Sequence, residues 1–291
     1  MNKTLHKIYI GSFFVIGIAV TILLAVNGFE YYNTSIEERF FNPKHTSLKP
    51  SGNWGHGFGI IGTLMMIVGV STYMIRKRYR KLFSFGYLNH WLEFHIFLCT
   101  VGPILVLYHT AFKFGGIVSV SFWSMVLVVL SGVIGRFIYV QIPRTIQGKE
   151  LSIQELNNLK AEESQKVRRV LSEDTMALSE FEKMASTDRY KNFQLTHAIG
   201  FFIKDFFNIR KVLNQLNQNL MLNLIPKSER EVILKAANAE IIIARRIGLL
   251  RTFHKLFHYW HIAHLPFAIT MFVIMLIHVA VTIIFGYKWI F

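Results

Sequence analysis

Five apolar runs, at residues 8–27, 54–75, 88–110, 117–140 and 258–286, constrain this chain more than any other feature. A helix needs about 20 residues to cross a hydrocarbon core of roughly 30 Å, and within that core every backbone N–H and C=O must be satisfied inside the segment. Each run therefore predicts a membrane-spanning helix. The composition agrees, since 52% of the 291 residues are apolar and 14% aromatic, and the mean hydropathy is positive. That is well above the usual balance of a soluble domain. The first run follows Lys3 and Lys7 as a secretion signal would, but its apolar stretch is long and Ala25-Val26-Asn27 is a poor cleavage site. It is expected to remain as a span.

The formal charge of +15 invites a nucleic-acid reading, yet the basic residues are not arranged as a groove-binding motif. They sort instead by side of the membrane. Arg76, Lys77, Arg78, Arg80 and Lys81 crowd the second loop, and 19 Lys and Arg against 13 acids lie between Arg144 and Lys255. The first loop, Gly28 to Asn53, holds three of each sign. The excess of cations on cytoplasmic loops then places the amino terminus, the second loop and the long fourth segment inside, and the first loop, the third loop and the carboxyl terminus outside.

Between the fourth and fifth runs the chain turns polar and rich in Glu, Lys, Gln and Asn, with almost no Gly or Pro, which predicts helix. Leu156, Leu159, Val167, Val170, Leu171, Leu178 and Phe181 recur at steps suited to an apolar stripe. Residues 196–209, with Phe201, Phe202, Phe206 and Phe207 around Lys204 and Asp205, suit either a membrane-surface helix or an ordinary core helix. Ser228 and Glu231 have the spacing of a capping box, and nothing after them stops the helix before the fifth run. The expected fold is all-α, an integral membrane helix bundle of five transmembrane helices with a helical cytoplasmic insertion. Its expected segments are 1–53 (first helix and outer loop), 54–140 (helices two to four), 141–257 (the cytoplasmic segment) and 258–291 (fifth helix and outer tail).

Ionisable side chains inside a membrane are costly and mark function by default. The third run carries His95 and His109, the fifth His264 and His278, and both pairs are separated by 14 residues. At 1.5 Å per residue this is about 21 Å and close to four turns, so each pair lies nearly on one helix face, one imidazole in each leaflet. Both helices run from inside to outside in the expected topology. His95 and His264 therefore meet near the inner side and His109 with His278 near the outer side, each pair able to offer two imidazole nitrogens to one iron. A lone histidine in a span is as often a simple hydrogen-bonding group; two equal spacings on parallel helices are harder to obtain by accident.

Small residues bear on the same question. Gly102 lies midway between His95 and His109, and Gly55, Gly59, Gly62 and Gly69 form a smooth face on the second run. Close helix packing in lipid is the commoner use of such a stripe, and approach of a macrocycle is the other. Met271 stands at the midpoint of the fifth run. The single cysteine, Cys99, excludes an intramolecular disulfide, a CxxCH haem attachment and a cysteine-ligated cluster. No GxGxxG or GxxxxGK[ST] pattern is present either, so no nicotinamide, flavin or ATP module has a visible signature.

With its histidine pairs on two helices, the chain resembles the dihaem cytochrome b families: membrane subunits of bacterial respiratory complexes and the ferric-reductase-like transmembrane domain, where the third and fifth helices carry the ligands. The resemblance covers about Trp54 to Phe285 and assigns ligand roles to His95, His109, His264 and His278. It departs from ferric reductases in lacking a flavin and nicotinamide module. The helical insertion has no counterpart in these families.

Further candidates surround the four. His254, His258 and His261 precede His264, and His90 stands at the inner entrance of the third run, as interfacial polar groups or as ligands of a third haem, a metal or a proton relay. His56 opens the second run on the outer side, as a surface residue, a further ligand or part of a quinol pocket. Glu93 calls for a partner, with Arg136 as a candidate, or takes part in proton uptake. Arg136 also suits a haem propionate.

The expectation is a multi-pass protein of a bacterial-type inner, energy-transducing membrane: the cytochrome b subunit of a quinol-linked oxidoreductase with two haems b. Electrons would pass between a quinone and a redox partner, such as other subunits of the complex, a periplasmic multihaem cytochrome or an iron–sulfur protein. Its rivals are a self-contained transmembrane ferric-type reductase fed by a cytoplasmic carrier, and a metal or cation transporter that uses the histidines as ligands. No nucleic-acid partner is expected.

Overall fold

In the computed structural model, residues 3–79, 87–144, 150–169, 176–190, 193 and 198–285 are described, and among them the regular structure is helical throughout. The helices are α1 (Lys3–Asn33), α2 (His45–Leu48), α3 (Asn53–Arg78), α4 (Leu88–His109), α5 (Gly116–Gln141), α6 (Ile153–Arg168), α7 (Met176–Ala185), α8 (Ala198–Leu222) and α9 (Lys227–Ile284), with short 3-10 turns at Glu38–Phe41 and Thr187–Tyr190. Five of them, α1, α3, α4, α5 and α9, are long and apolar enough to cross a membrane. Each contains one of the five apolar runs; residue 286, the expected end of the last run, lies outside the described residues, as do Arg80, Lys81, Val170, Leu171, Thr196 and His197.

The chain divides into two units, one of residues 1–136 and 259–291, the other Phe137–His258. The first is built against the ordinary rule for water. Phe14, Val26, Ile117, Val133 and Ile277 point outward on its long helices, an apolar surface of an extent that a soluble monomer does not carry. Its interior is made of small apolar clusters: Leu24, Val101 and Leu105 between α1 and α4, and Met66, Phe122, Met125 and Met271 among α3, α4, α5 and α9. Ser121 adds a buried polar tie, its hydroxyl donating to the Met271 carbonyl at 2.9 Å.

The loop after α1 is held as a structured cap. Arg39, buried, donates Nε to the Thr34 carbonyl at 3.0 Å and Nη2 to the Tyr32 carbonyl at 2.8 Å, and Nη1 reaches the Ala111 carbonyl. Ala111 and Phe112 stand at φ of 48° and 59°, a left-handed conformation that non-glycine residues adopt at a cost. The guanidinium thus satisfies a carbonyl of this turn while stacking 5.4 Å from the fully buried Tyr31 ring.

The second unit follows soluble rules. α6 opens with a capping box in which the Ser152 hydroxyl accepts from the Glu155 N–H and the Glu155 carboxylate accepts from the Ser152 N–H. The helix start that the Ser228 spacing marked is found one residue earlier, at Lys227, where α9 begins. Of the apolar stripe, Leu156, Val167, Leu178 and Phe181 are buried whereas Leu159 is exposed. Val167, Leu178 and Phe181 pack with Ile209, Val212, Leu216 and Leu220 of α8 and Ile233, Ala237 and Ile241 of α9.

α8 divides its faces. Ile209 and Val212 enter this core while Phe206 and Phe207 stay exposed. Asp205 is buried between Arg189 at 2.8 Å and Arg245 at 3.2 Å, an ion-paired node beneath Tyr190. Burial, with the Asp205 charge adding to it, pushes the Tyr190 phenol up to about 12.

Candidate functional site

The site starts from the packing of α3 on α4, the closest backbone approach between helices of the first unit. Glycine makes it possible: a Cβ on Gly62 would meet the Gly102 carbonyl oxygen at 2.6 Å, and one on Gly102 would meet that of Gly62 at 2.7 Å. Gly102 therefore serves the contact with α3, and the packing use of the stripe is the one that prevails there. Closeness of the two backbones has a chemical consequence for the histidines of α4. Nδ1 of His95 lies 3.0 Å from the Gly69 carbonyl, and Nδ1 of His109 lies 2.8 Å from the Gly55 carbonyl.

A carbonyl oxygen can only accept, so both imidazoles carry their proton on Nδ1 when neutral and keep a lone pair on Nε2. The same inference holds on α9 through a different group. His264 Nδ1 lies 2.6 Å from Ser131 Oγ, while the single hydroxyl proton of Ser131 goes to the Val128 carbonyl at 2.9 Å. The oxygen is then left to accept from His264 Nδ1–H. Three of the four histidines picked out by spacing are thus held in the tautomer that frees Nε2, the arrangement in which a second partner orients a metal-ligating imidazole.

Ser131 is itself fixed from α9. The indole of Trp260 donates to the Ser131 carbonyl at 2.7 Å and lies against Gly135, where a Cβ would collide with it. Its ring sits 4.8 Å from that of His264.

The rings of the higher-numbered histidines come together, and the lower-numbered ones lie within electrostatic reach of each other, as parallel helices require. His95 is among the electrostatic neighbours of His264, and the rings of His109 and His278 are 6.4 Å apart, centroid to centroid. A metal–imidazole bond of about 2.0 Å, with the ring nitrogen roughly 1.1 Å from its centroid, puts two imidazoles on one metal about 6.2 Å apart. His109 and His278 stand close to that separation.

The other candidates fall into separate places. His56 comes within 6.3 Å of the His109 ring, so the outer end holds three imidazoles. His261 is exposed and packs its edge on Trp260 at 4.9 Å. In the second unit, His258 is exposed and His254 pairs with Glu150 at 3.6 Å. Glu93 is paired, as a half-buried carboxylate demands, but its ion pairs go to His90 at 3.1 Å and His6 at 3.6 Å where the sequence suggested Arg136. Arg136 is half-buried near the end of α5.

Sequence reasoning missed Ser131, Trp260 and His6, and read Gly59 only as part of the smooth face of the second run. Gly59 is the most telling, because a Cβ there would lie 2.8 Å from the His109 ring. Comparison with family models, with characterised proteins and with solved structures gives no match.

Proposed function

We propose that this chain is a membrane cytochrome b subunit that carries electrons across a bilayer through two bis-histidine haems b, between a quinone pool and a redox partner. The observation that carries the reading is the orientation of the imidazoles. His95, His109 and His264 each commit Nδ1 to a partner and leave Nε2 as a ligand, on helices whose second histidine pair stands 6.4 Å apart. A transporter does not require two such pairs at matched depth, and a self-contained reductase would need the flavin and nicotinamide module of which the sequence carries no signature. A cation in transit needs ligands it can leave, and imidazoles locked by backbone carbonyls are built to stay.

His95 with His264 would hold one iron and His109 with His278 the other. Bound there, haem would supply reversible one-electron exchange. The rest of the work belongs to the chain. The carbonyls of Gly69 and Gly55 and the Ser131 hydroxyl keep the ring orientations fixed between oxidation states, so little reorganisation accompanies a change of charge. The outward apolar surface of the bundle excludes water from the path. Arg136, at the inner end of α5, would face a propionate as a planar cation faces a carboxylate. With the basic loops inside, the two irons would stand about 21 Å apart along the helices, one toward each face of the membrane.

Pyridine haemochrome analysis of the purified chain tests the reading directly. Two non-covalently bound haems per chain are expected, both reduced by dithionite and by a quinol analogue. A colourless protein, or a covalent c-type spectrum, would overturn it; reduction by NAD(P)H through a flavoprotein but never by quinol would replace the quinone assignment with the reductase one.

A further inference from the structure

We propose that His6, His90 and Glu93 form a binding site for a first-row divalent cation of the zinc class, clamping the start of α1 to the start of α4. This goes beyond the electron-transfer reading, which makes no use of these three residues. α4 presents His90 and Glu93 one turn apart on one face, and α1 brings His6 against them from its second turn. One ligand atom from each of the three lies within 4.8 Å of the other two. The rings of His6 and His90 are in contact, centroids 4.9 Å apart, and the carboxylate reaches both, Oε2 at 3.1 Å from His90 Nδ1 and Oε1 at 3.6 Å from His6 Nε2.

His90 Nδ1 and Glu93 Oε2 form a hydrogen-bonded pair at 3.1 Å, whereas 3.6 Å from Glu93 Oε1 to His6 Nε2 is too long for a hydrogen bond. Ligands bound at about 2.0–2.1 Å in a tetrahedral shell stand roughly 3.3 Å from one another, so a cation bound among the three would draw His6 in by a few tenths of an ångström. Two imidazoles and one carboxylate, with water in the remaining position, are a common donor set for zinc, and the mix of nitrogen and oxygen ligands disfavours the hard cations magnesium and calcium.

The surroundings give the site walls. Glu93 keeps only 12% of its side chain exposed. Tyr9 packs its ring on His90 at 5.7 Å and donates its hydroxyl to the His90 carbonyl at 3.3 Å, and Tyr87 covers another side at 5.7 Å. A dication would neutralise the one carboxylate that these rings shield from water.

The test is a zinc titration of the full-length chain in detergent, carrying a tag without histidine, in competition with a metallochromic chelator. One saturable Zn2+ per chain is expected, with the affinity lowered at least tenfold in Glu93→Gln and in His6→Ala, and largely restored in Glu93→His, which replaces one donor by another. Haem content is read on the same samples, so that zinc and haem binding fail or succeed independently. His254→Ala with His258→Ala and His261→Ala should leave the zinc affinity unchanged. Absence of saturable binding would overturn the proposal, and so would binding that survives His6→Ala and Glu93→Gln and disappears in the triple variant.

Discussion

The two ends of the histidine array hold their imidazoles by different means. At the outer end His109 rests on the Gly55 carbonyl, meets His278 at 6.4 Å and has His56 at 6.3 Å. Room for that ring comes from Gly59, whose missing Cβ is the space the imidazole fills. At the inner end His95 rests on the Gly69 carbonyl with Cys99 Sγ 3.5 Å from the same nitrogen, and His264 takes a side-chain hydroxyl from α5. His109 is therefore placed mainly by steric allowance and backbone, His264 mainly by a hydrogen-bonded chain from Trp260 through Ser131. Two sites that look equivalent in spacing should respond differently to the same class of change.

Removing a ligand gives the largest effect. His109→Ala and His278→Ala are each expected to reduce haem from two per chain to one, and the double variant should lose no more than either single change, because ligands of one iron act as a unit. His95→Ala and His264→Ala should remove the other haem in the same way. Redox titration of the remaining haem tells which was lost. If His278→Ala keeps both haems with unchanged potentials, His56 becomes the candidate ligand at the outer end, and the comparison of the two ends has to be redrawn around it.

Gly59→Ala comes next. The added methyl would meet Cγ and Nδ1 of His109 at 2.8 Å, and the ring cannot swing aside without breaking its bond to the Gly55 carbonyl. Outer-haem occupancy should fall by more than half while the inner haem keeps its potential. Equal loss of both haems would mean that the substitution has opened the α3–α4 contact as a whole, which the amount of folded protein would show.

The sequence made the helices of this molecule more legible than their partners. The apolar runs found the spans because length and hydropathy are properties of a segment by itself. The long final helix followed from the lack of any proline between Lys227 and the start of the fifth run, and it continues through Pro266 to Ile284. The 14-residue spacing likewise says that His95 and His109 share a face of α4, since periodicity is a property of one helix.

It does not say what that face meets. Gly102 was read against a macrocycle and lies against Gly62; Glu93 was matched with Arg136 and makes its ion pairs with imidazoles from α1 and its own helix. Ser131 is 133 positions from the histidine it orients, and no local pattern marks a serine in a span as a second partner when several others simply bond their own helix, as Ser119 does with the Gly116 carbonyl. The signal that could have found it is the pairing of a hydroxyl in one span with a histidine in another at matching depth.

Ser131→Ala tests the inner arrangement through its support and should be milder than losing a ligand. Without the hydroxyl, His264 Nδ1–H has no acceptor from α5, and the ring loses the contact that fixes its tautomer. Partners of this kind are worth about 10–100-fold in affinity for the metal group. Inner-haem affinity should fall within that range, with a shifted potential, and the outer haem should not change. Ser131→Thr, which keeps the hydroxyl, should restore most of it. If Ser131→Ala leaves the inner haem untouched, His264 is not oriented from α5, and the contrast between the two ends disappears.

Gly69→Ala is expected to have the smallest effect, and for that reason it separates steric from hydrogen-bonded placement most sharply. Gly69 is the inner counterpart of Gly59 on α3, but an added Cβ there would lie 3.0 Å from Leu98 Cβ and 3.2 Å from Cys99 Sγ, and 3.6 Å from the nearest atom of His95, its carbonyl oxygen. The crowding falls on Leu98 and Cys99 and not on the His95 ring, and the Gly69 carbonyl that receives His95 Nδ1–H survives the substitution. A shift of the inner potential smaller than that of Ser131→Ala is therefore expected, with both haems retained. Redox titration of Gly59→Ala, Ser131→Ala and Gly69→Ala side by side reads the order directly. Were Gly69→Ala to expel the inner haem as completely as Gly59→Ala expels the outer one, α3 would be placing both ligands by space alone, and the hydrogen-bonded chain through Ser131 would be incidental to the inner site.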